Sequence, residues 1–283
     1  MREKAIKEMT EFQKHTMQHI KKSTVAAERY VDTSRGRIRV LEYGLDSPEL
    51  KPLFVDLHGG GYCLMAPEFD EPLNLRIHKE TGVKIISIDY PLAPQNPYPA
   101  GIEAVYEVIR HYYDNAERYN IDRGSIGIGG LSSGGNFAAV TCIRANEEKD
   151  FKIKYQVLCC PSTYPGKSAH DKPKGDEKYL PNDRIESFVL CYLPDPELGK
   201  LPYVSPVLAT DEQLKGLPPA LIIVAGHSDP LRPDGLLYGE ILKKAKVPVE
   251  VHEFTGSHGF MGEPTAEAKA AEDIMIAFIK EHI

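Results

Sequence analysis

The chain has 283 residues, a net charge of −7, 42% hydrophobic and 27% charged residues, five cysteines and no tryptophan. That length buries a sizeable core, no run approaches the roughly 18 uncharged apolar residues of a membrane helix, and an acidic chain without basic–aromatic clusters is a poor partner for nucleic acid. The odd cysteine count, the lack of any C-x-x-C and the adjacent Cys159 and Cys160 in an apolar run predict reduced, buried thiols in a cytoplasmic protein, with no metal site.

The first 22 residues predict an amphipathic helix with Ile6, Met9, Phe12, Met17 and Ile20 on one arc, packed on the same molecule. This stretch is charged every few positions and lacks an apolar segment, so it does not read as a signal peptide. Residues 1–35 hold eight Lys/Arg against five Asp/Glu, a local +3 on an otherwise acidic chain. Strands are then expected at 37–43, 53–57, 84–89, 125–129, 155–160, 220–225 and 248–254, and helices at 70–81, 101–118, 134–147, 235–246 and 265–281. This alternation predicts an α/β fold with a mainly parallel sheet, whose functional loops gather at the carboxyl ends of the strands. Residues 162–205 break the rhythm. They contain six prolines, with one helix expected at 182–193, and an irregular insertion of this length reads as a lid or binding segment.

Four loops carry the chemistry. Gly130-Leu131-Ser132-Ser133-Gly134 follows a predicted strand and opens a predicted helix, which is the setting of a G-x-S-x-G nucleophile elbow. Ser132 is the expected nucleophile, because Ser133 has Leu131 rather than glycine two positions before it. His58-Gly59-Gly60-Gly61-Tyr62 follows another strand, and its glycines can turn backbone N–H groups toward a developing oxyanion. Gly60 and Gly61 are the expected donors, completed by the N–H of Ser133. His58 reads as a structural residue, and the absence of a following G-K-[ST] argues against a nucleotide loop. The chain order Ser, acid, His then points to Asp229 after strand 220–225 and His258 between two glycines after strand 248–254. His227 precedes the acid and His252 lies inside a strand; Asp234, the reserve acid, is better suited to starting a helix.

The ordered set HGGGY, DYPLAPQNPYPA, GLSSGGN, SDPLR and GSHGF resembles the hormone-sensitive lipase family of α/β-hydrolases, which includes many bacterial esterases. The resemblance runs from about residue 36 to the C-terminus. It implies an eight-stranded, mostly parallel sheet, with a catalytic core at 36–161 and 206–283 and a helical cap from 1–35 and 162–205. It also implies a serine carboxylesterase for short acyl chains with Ser132, Asp229 and His258 as triad and Gly60, Gly61 and Ser133 as oxyanion hole. No cofactor is implied. Tyr62, Phe188, Tyr192, Phe260 and Met261 are the expected substrate contacts.

Leu131, Ser133, Pro91, Gln95 and Asn96 depart from the family pattern, and the last three require neutral contacts where the family has charged groups. Hydrolysis of acetylated sugars or amides, a dehydratase, and a non-catalytic receptor are the alternatives compatible with the resemblance. The last strand, with the C-terminal helix, is also a surface through which a homodimer could pair edge to edge.

Overall fold

A computed structural model describes all 283 residues. After helix α1 (Arg2–Met17), a hairpin of β1 (Ala27–Thr33) and β2 (Gly36–Tyr43) leads into β3 (Lys51–Leu57), α2 (Glu71–Thr81), β4 (Lys84–Asp89) and α3 (Ala100–Asp114). Next come β5 (Ile121–Leu131), α4 (Ser133–Glu148), β6 (Tyr155–Cys159), α5 (Asn182–Tyr192) and the short α6 (Asp211–Leu214). The chain closes with β7 (Ala220–Val224), α7 (Arg232–Lys244), β8 (Val249–Glu253) and α8 (Ala266–His282). The eight strands form one sheet in the order β1-β2-β4-β3-β5-β6-β7-β8. Both ladders of β2 are antiparallel and all the others are parallel.

The central strands are buried on both faces, as parallel strands under helices must be. Successive side chains serve two cores. Leu53 and Val55 face the side covered by α3, α4 and α7, while Phe54 faces the side covered by α2 and α8; Leu158 and its neighbours Val157 and Cys159 divide the same way. Every parallel strand thus delivers its carboxyl end to one edge of the sheet, where the loops bearing Ser132, Asp229 and His258 emerge.

Two expectations need correction. Residues 27–33, counted with the cap from the sequence, form edge strand β1, joined to β2 by a two-residue turn with Gly36 at φ +101°. Within α1 the packed stripe is Ala5, Met9 and Gln13, and Phe12 is 46% exposed. Gln13 is drawn inward because its Nε2 amide group donates to the carbonyls of Cys63 (2.5 Å) and Ala93 (2.7 Å). Gln95 donates in turn to Gln13 Oε1 at 2.9 Å, so one of the expected neutral contacts ties the N-terminal helix to the loop after β4. The insertion 162–205 holds α5, which packs on α1, and is clamped to α7 by a Lys172–Asp234 ion pair at 2.6 Å with both side chains buried. No helix is long and apolar enough to cross a membrane.

Candidate active site

Ser132 sits between β5 and α4 at φ 53°, ψ −112°, a conformation that costs an L-residue free energy and holds its hydroxyl clear of both elements. The sharp turn explains its glycines. A Cβ on Gly130 would lie 2.5 Å from the Leu57 carbonyl oxygen, and one on Gly134 would lie 1.9 Å from the same atom. The turn is pinned by the Ser132 N–H, which donates to the Cys159 carbonyl at 2.8 Å.

His258 Nε2 lies 3.0 Å from Ser132 Oγ, and His258 Nδ1 lies 3.0 Å from Asp229 Oδ2. Asp229 is fully buried, and its second oxygen accepts from the Leu231 N–H at 2.9 Å. The carboxylate is therefore fixed from both sides, and the imidazole is aligned between acid and hydroxyl. The three residues predicted from separate loops are brought together in the predicted order. The alternatives lie elsewhere: His227 is exposed, His252 is beside Glu250, and Asp234 is bound to Lys172. Cys160 brings its Sγ within 4.8 Å of ligand atoms of Asp229 and His258. Burial pushes that thiol well up, which keeps it a neutral neighbour of the acid.

The glycine loop stands beside Ser132. Gly60 and Gly61 adopt φ +114° and +61°, and a Cβ at either would strike the Leu64 carbonyl (2.1 Å) or the Phe188 ring (2.2 Å). Neither glycine N–H makes a backbone hydrogen bond, and the Ser133 N–H is the first of α4, where no intrahelical acceptor exists. These three donors, with the positive end of the α4 dipole, suit an anionic oxygen. His58 is fully buried and stacks on Tyr90 with centroids 4.1 Å apart, and its Nδ1 donates to the Gly59 carbonyl at 2.7 Å. Burial lowers its pKa to about 4, so it is a neutral brace for the loop, as its position implied.

A cavity of about 270 Å³ opens over Ser132 and His258. Of the expected contacts, Phe188 and Met261 line it; Tyr62 borders only a small crevice beside Ser132 and Ser133. Tyr192 and Phe260 do not line it, because each is consumed by aromatic packing: Tyr192 stacks on Tyr62 at 3.9 Å and Phe260 on Phe254 at 5.3 Å. The other walls include Leu64, Met65, Phe69, Asp70, Leu131 and Leu180, none predicted as contacts. The signals that pointed to them were the proximity of 64–70 to the glycine loop, of Leu131 to Ser132, and the place of Leu180 in the insertion 162–205.

Residues 54–262 match the family described as alpha/beta hydrolase fold. The chain belongs to this family of α/β-hydrolases. Within it, the chain is 34% identical over 224 residues to carboxylesterase NlhH of Mycobacterium tuberculosis, covering 78% of this chain and 70% of that protein. Among solved structures, a hyperthermophilic esterase from the archaeon Pyrobaculum calidifontis superposes with a TM-score of 0.85 at 31% identity, covering 99% of this chain and 92% of that one. The thermostable carboxylesterase EstE1, cloned from a metagenomic library, gives 0.85 at 26% identity over 100% of this chain and 97% of its own.

Proposed function

We propose that Ser132, His258 and Asp229 carry out ester hydrolysis in two acyl-transfer steps. The protein is a carboxylic ester hydrolase, and the observation that carries the mechanism is the unbroken Ser132–His258–Asp229 chain with both contacts at 3.0 Å beside unpaired N–H donors. His258 takes the hydroxyl proton as Ser132 attacks the ester carbonyl, and Asp229 holds the imidazole tautomer and stabilises its charged form. The oxyanion accepts from the Gly60, Gly61 and Ser133 N–H groups; each such donor is worth about 3 kcal/mol of barrier. His258 then protonates the leaving alcohol, and water attacks the acyl-enzyme with the same residues in reversed roles.

The cavity of about 270 Å³ falls below the roughly 300–1,000 Å³ usual for drug-sized ligands, which supports short acyl chains. Residues 1–26 and 162–205 act as a cap over this site, supported by the contact of Phe188 with Gly61. The compartment in this reading is the cytoplasm, supported by five buried free cysteines. Two copies pair along β8, a reading supported by its open, half-buried edge. The function is tested by hydrolysis of aryl esters of increasing acyl length by the wild type and Ser132→Ala. The expected result is an optimum at short chains and loss of nearly all turnover in the variant. Comparable rates for the two proteins would remove Ser132 from the mechanism.

A further inference from the structure

Asp70 is a cavity residue that the hydrolytic mechanism leaves unused. The short helix Pro67–Phe69 delivers it to the residue before α2, and the Arg39 guanidinium holds that turn by gripping both oxygens of Glu68, at 2.8 and 3.0 Å. Its backbone is occupied: the N–H donates to the Pro67 carbonyl and the carbonyl accepts from the Asn74 N–H. Its side chain is not. Aspartate in this position ordinarily caps the helix by accepting an N–H of the first turn, but here no such bond forms. The residue is only 8% exposed, its Oδ2 is sealed from solvent with no hydrogen-bond partner, and it lines the cavity with Gly60, Leu131 and Ser132.

A buried carboxyl oxygen without a partner is left uncompensated for the water it has lost, and neighbouring groups do not offset this here. The Asn74 amide and the Ser87 hydroxyl both donate to Asp56, and no donor reaches the Asp70 Oδ2. The cavity walls include the apolar Leu64, Met65, Phe69, Leu180, Phe188 and Met261, and the lining's one cation, Arg184, donates to the Tyr179 carbonyl. A single unsatisfied polar group in such a wall is a recognition element awaiting a matching group. Burial, and then the charge of Asp56, push the Asp70 carboxyl well up, so it stands as a neutral acid with one O–H to donate and oxygens to accept. A hydroxyl has the matching capacity, one donor and two acceptor sites, and requires no charge to be buried.

We propose that Asp70 is a specificity-determining residue that takes a hydroxyl group carried by the substrate, so that the preferred esters are hydroxylated ones. The inference rests on the ester-hydrolase reading above. Its test compares kcat/KM for matched esters in two arms: aryl 3-hydroxybutyrate against aryl butyrate, and 2-hydroxyethyl butyrate against propyl butyrate. The wild type is expected to favour the hydroxylated member about tenfold or more in one arm, which also tells whether the acyl or the alcohol half meets Asp70. Asp70→Leu is expected to bring that ratio to about one, and Asp70→Asn, which still donates and accepts, to retain part of it.

The wild-type ratio needs no variant to fold, and thermal unfolding of both variants checks their integrity. Cleavage of the plain esters with a ratio near one in both arms, or a ratio untouched by Asp70→Leu, would overturn the hydroxyl subsite and leave the hydrolase reading intact. A stronger preference for an aminoacyl ester, lost in Asp70→Asn, would also overturn it, since the group recognised would be an ammonium. Failure to cleave any ester would overturn both readings together.

Discussion

Gly134→Ala tests the nucleophile elbow where two physical effects have opposite signs. Gly134 lies in the first turn of α4, and its φ is not in the left-handed region, so helix propensity alone favours alanine there by about 1 kcal/mol. Space forbids it. The added Cβ would sit 1.9 Å from the Leu57 carbonyl oxygen and 2.5 Å from that of His58, both main-chain atoms at the end of β3. A carbon and an oxygen in contact need more than 3 Å, so the elbow or the strand end must move by about 1 Å, with no flexible side chain to absorb the shift. Ser132, two residues away, is held 3.0 Å from His258, and a displacement of that size takes the pair out of hydrogen-bond range. Misplacing a reacting group by about 1 Å costs on the order of 10²-fold in rate. The assay is kcat/KM on an aryl butyrate together with the midpoint of thermal unfolding. Gly124→Ala serves as control, because its Cβ would meet only the Asp122 carboxylate, at 3.3 Å. The expected outcome is a loss of about 10²-fold and a lower midpoint for Gly134→Ala, with little change for the control. A Gly134→Ala enzyme that kept wild-type activity and stability would refute the argument that the elbow's geometry is set by this contact.

The Lys172–Asp234 pair is buried on both sides, so Lys172→Met should destabilise the fold by about 3–5 kcal/mol by stranding a carboxylate, while Lys172→Met with Asp234→Leu should recover most of that in urea unfolding. Burial, outweighing the Lys172 ammonium, raises the Asp234 carboxyl from 3.8 to about 6. The folded value exceeds the unfolded one, so this contribution to stability is fully present below about pH 4 and lost as pH rises through about 6. The stability of the wild type relative to the double variant should therefore fall from pH 4 to 7, and a pH-independent difference would contradict it. Gln13→Leu should lower kcat more than it changes KM, because it releases the Cys63 carbonyl beside the oxyanion loop; circular dichroism would check that α1 stays folded. Phe188→Ala should shift the acyl-length optimum upward, whereas Tyr192→Phe should leave it in place, since only Phe188 lines the cavity.

Ser132, Asp229 and His258, which the structure brings together, were legible in the sequence because their loops depend on local chemistry. Ser132 needs Gly130 and Gly134 to make its turn, and His258 needs the loop that its flanking glycines allow. The buried strands were legible for the same reason, since β7 is apolar throughout and β4 carries the apolar Ile85, Ile86 and Ile88. β5 was read only over its buried portion: residues 122–124 at its start are exposed, where the ladder with β3 shifts register. β1 was missed because it is an edge strand with one fully buried side chain, Val31, among charged neighbours, so its alternation has no apolar signature. The cavity wall was the least legible part. Whether Tyr62, Tyr192 or Phe260 faces substrate or another ring is decided by contacts between distant segments, and all three turned to partners. Gln13 illustrates the converse, a polar residue whose burial is decided by two carbonyls 50 and 80 positions along the chain.

The central claim is that Ser132 is the atom donor of the covalent intermediate, and trapping that residue tests it most directly. The wild type and Ser132→Ala would each be treated with an aryl phosphonate ester, which forms a stable adduct with an activated serine, and then mapped by peptide mass spectrometry. The geometry predicts one adduct per chain on Ser132, lost in Ser132→Ala, because only its hydroxyl lies 3.0 Å from His258 Nε2. An adduct on the neighbouring Ser133, or undiminished labelling of Ser132→Ala, would contradict it.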